Sequence, residues 1–166
     1  MAKNILAENY LKELNAEVPA TRKCLERISE KTFDWKPHEK SMQMGYLALL
    51  VADMPRWITY AVEKGEIDLA TYEQKEFKSA SDLVNIFDKN VQDVNNTLNN
   101  LTDDILTKTF YLKNQGQVLF SSPVNNTISS TINHWVHHRG QLTVYMRLNN
   151  IPVPSIYGPS ADEKTF

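Results

Sequence analysis

The chain has 166 residues and 42% hydrophobic content, enough for one sizeable core and short for two, so residues 1–166 read as a single domain. With 18 basic residues against 20 acidic ones and a net charge of -2, it lacks the basic stripe of a nucleic-acid binder. No apolar run approaches the ~18 residues of a membrane span, and the opening MAKNILAENYLKELN has no continuous apolar stretch of the signal-peptide kind.

In chain order, Leu6, Tyr10, Leu14, Val18, Thr21, Leu25 and Ile28 recur at three- and four-residue steps, which predicts a first helix over residues 5–29. Pro19 predicts a kink or local break in it. Cys24 falls in this helical run as a buried thiol, and a lone cysteine fits a reducing, cytoplasmic setting. The connection EKTFDWKPHEKS follows, with Phe33 and Trp35 expected to fold back onto the bundle. A second helix, from about Ser41 to Lys64, carries Met44, Leu47, Val51, Met54, Ile58 and Ala61 on one side. Gly65 is its stop, and Pro55 frees the carbonyl of Val51. A third helix starts at Ser81-Asp82, read as cap and first turn, and runs through Phe87, Val91, Val94, Leu98 and Leu101. Two short β-rich runs around Asn114-Gln-Gly116 predict a hairpin or extended excursion. A fourth helix covers about Val124 to Leu148, and the proline-containing tail IPVPSIYGPSADEKTF reads as an irregular surface strap. The fold class is therefore all-α, a four-helix bundle with a short β-like excursion before its last helix.

The last helix holds NHWVHHRGQLTVYMR, with three of the chain's four histidines in five positions. At 100° per residue, His134 and His138 differ by about 40° and share a face, with Gln141 and Tyr145 close to the same direction. His137 is turned about 60° away, toward a helix neighbour, solvent or an interface. A pair at i and i+4 is the spacing by which one helix gives two imidazoles to one cation. It equally suits two neutral imidazoles hydrogen-bonded within a bundle. Gly140 reads as a point of close helix approach. Arg139 reads as an ion-pair residue and Gln141 as an inter-helix hydrogen bond or a partner that orients an imidazole.

The run HWVHHRGQLTVYMRLNNIPVPSIYGPSADE resembles the C-terminal helix and tail of the DinB-like (DinB/YfiT) family of four-helix bundles. FDWKPHEKSMQMGYLALLVADMPRW resembles that family's Trp-Lys-Pro connection and second helix, through Ser41, Met42, Gly45, Leu47, Ala52, Pro55 and Trp57. The resemblance implies a homodimer and a nickel or zinc ion on three histidines. Two of these match His134 and His138; the position of the first is Leu50 here. Leucine has no lone pair, so the implied metal site is incomplete. His38, Asp53 and His137 are the residues from which a replacement donor could come. Leu50, Trp57, Trp135 and Tyr145 are expected as pocket wall.

Two functions compete. One is a divalent-metal-dependent transferase, thiol-dependent in some relatives, or hydrolase using His134 and His138, with a metal-free variant in which one histidine is a general base. The other is a non-catalytic, metal-free dimeric bundle that binds a small ligand or partner.

Overall fold

The computed structural model describes residues 5–164. Helix α1 (Ile5–Arg27) is followed by a 3-10 turn at Glu30–Thr32 and by α2 (Met44–Glu63). Then come β1 (Glu66–Asp68), α3 (Ala80–Asn99), the short α4 (Asp103–Thr107), β2 (Thr109–Asn114), β3 (Gln117–Pro123) and α5 (Val124–Leu148). The four long helices form the expected bundle. α2 packs on both α3 and α5, and α1 packs on the same two, so α1 and α2 face each other across a diagonal.

Helix α2 is buried almost all round through Met44, Leu47, Ala48, Val51, Ala52, Met54, Ile58 and Ala61, as an apolar helix at the centre of a bundle must be. The inward side of α1 is Ala7, Tyr10, Leu14, Glu17, Thr21, Cys24 and Leu25, while Leu6 is exposed, so the predicted stripe is rotated slightly. Neither proline breaks its helix: α1 continues through Pro19 and α2 through Pro55, held by packing on both neighbours. The cap of α3 is Ser79, two residues before the expected one. Its side chain accepts from the Asp82 N–H at 3.1 Å, and the Asp82 carboxylate accepts from the Ser79 N–H at 2.9 Å, a reciprocal capping box.

The excursion is a hairpin with more company than expected. β2 and β3 pair antiparallel around Gln115 and Gly116, whose φ values of 52° and 77° suit a hairpin turn with both central residues left-handed. β1 joins β2 in parallel, and the Asp68 carboxylate accepts from the N–H groups of Gln115 and Gly116 at 3.0 and 2.7 Å, tying strand to turn. A three-residue strand and a five-residue helix carry too little periodicity to stand out in sequence.

Phe33 and Trp35 do fold back. Phe33 meets Phe77 edge-on at 5.2 Å, and Trp35 meets Tyr145 edge-on at 5.5 Å. The close approach assigned to Gly140 belongs instead to Gly45. A Cβ on Gly45 would lie 3.0 Å from the Phe33 Cβ, whereas Gly140 is exposed with open space where a Cβ would stand. The tail crosses the surface as a strap. Asp162 pairs with Arg147 at 2.5 Å, and Glu163 pairs with Arg27 and Lys23 of α1. No helix among the described residues is long and apolar enough to cross a membrane.

Candidate functional site

α5 brings His134 and His138 together as its pitch requires. Their Nε2 atoms lie 2.7 Å apart, and their ring centroids 4.4 Å. His138 is buried and His134 exposed, so the pair runs from the bundle seam outward. Gln141, one turn on, presents its Oε1 to His138 Nδ1 at 2.8 Å. An amide oxygen only accepts, so Nδ1 carries the hydrogen. Neutral His138 then has its lone pair on Nε2, and the short contact is completed by His134 donating its Nε2–H. His138 is thereby fixed as a proton acceptor whose acceptor atom points at its partner. Partial burial, then the neighbouring His138 and His137, hold the His134 imidazole below the usual histidine value, which keeps it neutral.

His137 is exposed and meets His138 edge-on at 5.2 Å. His38 is far along the chain, in the exposed loop before α2, where its Nδ1 accepts from the Lys40 N–H at 3.1 Å. Asp53 is committed elsewhere. Its carboxylate is ion-paired to Arg56 at 3.0 Å and accepts from the Tyr72 hydroxyl at 2.5 Å and from Asn90 Nδ2 at 3.3 Å. Among the described residues, no cluster of three or more His, Cys, Asp or Glu side chains gathers to hold a metal ion. Two imidazoles, with a leucine at the position where the resemblance implies the third, do not fit a three-histidine metal group.

The expected wall residues divide. Leu50 and Trp57 line a cleft of about 230 Å³ beside α2, with Tyr46, Leu49, Asp53, Leu69, Tyr72, Gln74 and Lys75. Trp135 is core, 1% exposed against Phe87, and Tyr145 packs on Trp35. Cys24 is no nucleophile: burial pushes its thiol up to about 11, so the thiolate is disfavoured near neutrality.

Two buried polar networks lie apart from the histidine pair; sequence reasoning missed the first, and of the second it foresaw only that Arg139 makes an ion pair. In the first, Arg56 lies between Asp53 and the Tyr72 ring, 4.4 Å from the ring centroid, and donates to the Glu73 carbonyl at 2.6 Å. It pins the extended segment after β1 onto α2. The Asp53 and Arg56 pair at i and i+3, inside an otherwise apolar helix, was the available signal. In the second, Arg139, 2% exposed, reaches across to Glu17 at 2.5 Å, to Thr21 Oγ1 at 3.1 Å and to the Tyr157 hydroxyl at 3.0 Å. These partners lie more than 100 residues away or in the strap, and no local pattern announces them.

Three crystal structures share this architecture. A DinB-like protein of Bacillus cereus matches with a TM-score of 0.71 at 22% identity, over 95% of this chain and 100% of that one. The DinB-like protein YjoA of Bacillus subtilis gives 0.68 at 19% identity, over 98% and 100%. A protein of Exiguobacterium sibiricum described as a member of the DinB family gives 0.71 at 16%, over 93% and 98%. The uncharacterized protein YrdA of Bacillus subtilis is 46% identical over 41 residues, a quarter of each chain. The pattern of the DinB family itself matches residues 1–165, and the chain belongs to the DinB family.

Proposed function

We propose that this chain acts on or binds a small molecule without a resident metal, with His134 and His138 as a proton-transfer pair in place of a three-histidine centre. The observation that carries this reading is the Nε2 to Nε2 contact of 2.7 Å, with Gln141 on the far nitrogen of His138. That chain of hydrogen bonds makes His138 the base and His134 the outer group that exchanges its proton with solvent or substrate. The depressed value of His134 favours its neutral form, the state in which a histidine takes up a proton from a reacting group. Leu50 gives the cleft beside α2 an aliphatic wall where the resemblance implies a third donor.

A second reading, a metal-dependent transferase or hydrolase, draws support from the convergence of the same two Nε2 atoms and from Gln141 as the orienting partner of a ligand histidine. It requires a third donor from a substrate or a partner subunit. Metal analysis of protein purified without a histidine tag separates the two, followed by zinc and nickel titration of wild type, His138→Ala and Leu50→His. The metal-free reading expects substoichiometric metal in wild type and a gain of tight binding in Leu50→His. Near-stoichiometric metal in wild type that disappears in His138→Ala would overturn it in favour of the second.

A further inference from the structure

The cleft beside α2 has a chemical character of its own. Its walls are Leu49, Leu50 and Leu69 with the rings of Trp57, Tyr72 and Tyr46, and its volume of about 230 Å³ suits one ring with a short arm. Tyr46 and Leu69 are left 45% and 44% exposed at the surface, large apolar side chains that an occupant would cover. Trp57 and Tyr72 meet at 63° with centroids 5.8 Å apart, which offers a ligand ring both a face and an edge.

Charge decides the rest. Asp53 lines the cleft, yet its carboxylate is neutralised by Arg56 and already accepts from Tyr72 and Asn90. The place that a ligand cation would take, over the Tyr72 ring and beside Asp53, is filled by the protein's own guanidinium. Burial, then Asp53, push the Tyr72 phenol far above its usual value, so it remains a hydroxyl and adds no negative charge. Of the lining groups, Lys75 alone has a charge without a buried partner. Its ion pair with Glu73 at 2.9 Å is exposed, with the Glu73 side chain 71% accessible, and a pair of that kind holds weakly. Gln74 adds an amide donor next to it.

We propose that this cleft binds a small aromatic carboxylate, its ring between Leu50, Trp57 and Tyr72 and its carboxylate on Lys75 and Gln74. This deepens the small-molecule reading above by naming a ligand class, and it does not depend on whether the histidine pair moves protons.

The test is calorimetric and NMR titration of the full chain with phenylacetate, phenylacetamide and phenethylamine, which carry the same ring on an anionic, a neutral and a cationic arm. The expected result is saturable binding of phenylacetate, with the amide weaker by about tenfold and the amine weaker still, as loss of one charge-assisted contact implies. Lys75→Glu, at the surface, should abolish the preference for the anion. Leu50→Phe should fill the cleft and remove binding, with far-UV circular dichroism and thermal melting showing the fold intact. Phenylacetate affinity in Lys75→Glu and Leu50→Phe reads the cleft, and the nitrogen-15 signals of the His134 and His138 rings in unliganded wild type read the histidine pair, so a failed histidine mechanism and a failed cleft are distinguished. Equal or tighter binding of the amine, no saturable binding of any probe, or phenylacetate binding indifferent to Lys75→Glu and Leu50→Phe would overturn the proposal.

Discussion

The His138 ring is oriented by one neighbouring amide, Gln141, whose Oε1 lies 2.8 Å from Nδ1. Gln141 fixes which ring nitrogen carries the hydrogen, so Gln141→Leu should release the tautomer while leaving the helix intact. Nitrogen-15 NMR of the His138 ring should then show a mixture of tautomers in place of a single Nδ1–H form. His134 gives a signed pH prediction. Its folded value is depressed, mainly by burial and next by His138 and His137, so the unfolded chain binds the proton more readily. The stability linked to this group is fully present above about pH 6.5, its unfolded value, and is lost as pH falls through the lower folded value. An NMR titration should place His134 below 6.5, moving upward in His138→Ala; a midpoint at or above 6.5 in wild type would contradict the burial described. Arg139 is a stability residue by the same kind of reasoning. Replacing it by methionine leaves the Glu17 carboxylate buried without its cation, and loss of one partner of such a pair costs about 3–5 kcal/mol. Urea denaturation of Arg139→Met should show a loss of that size, much of it recovered in the double variant with Glu17→Leu.

At the level of elements, the long helices were legible because burial repeats with their pitch. Val124–Leu148 was predicted to the residue, and the hairpin turn was marked by its Gln-Gly pair. What escaped prediction was set by contacts distant in sequence. β1 exists because its backbone pairs with β2, more than 40 residues on, and Gly45 is glycine because Phe33 lies on top of it. Of the two outcomes expected at Pro19, the break does not occur: α1 runs on through Pro19 as α2 does through Pro55, since packing along both faces of each helix outweighs the missing hydrogen bond. The histidine pair was legible from spacing alone, but the buried Asp53–Arg56–Tyr72 network beside the cleft was not, because Tyr72 reaches it from an irregular segment. The capping box of α3 can be measured directly. Ser79→Ala removes the acceptor for the Asp82 N–H and should cost about 1 kcal/mol by denaturant unfolding. Ser81→Ala, at the position that sequence alone suggested, should cost little, and a reversed order of the two would move the cap.

For the whole molecule, the strap is the part whose attachment is purely polar at its far end. Glu163 accepts from Arg27, Lys23 and the Ser155 N–H, and the Arg27 hydrogen bond, then Ser155, hold its carboxyl down at about 2. Asp162 is held below the usual carboxylate range, first by Arg147 and then by the Val153 N–H. Both folded values lie below their unfolded ones, so the stabilisation they give is complete above about pH 4.3 and is lost as pH falls toward about 2 for Glu163. The strap should therefore lift before the bundle melts, because the four helices are held together by a continuous apolar core whose burial does not depend on the strap carboxylates. Tyr157 links the two events. Its hydroxyl joins Glu17 and Arg139, so a lifted strap removes one donor from Glu17 while leaving the buried ion pair in place. Amide NMR of residues 153–164 should show local release between pH 4.3 and 2 with helical signals retained, and Glu163→Gln should shift that release to neutral pH. Simultaneous loss of strap and helix signals would mean that the strap is part of the cooperative core and that Tyr157, through Glu17 and Arg139, holds α1 to α5.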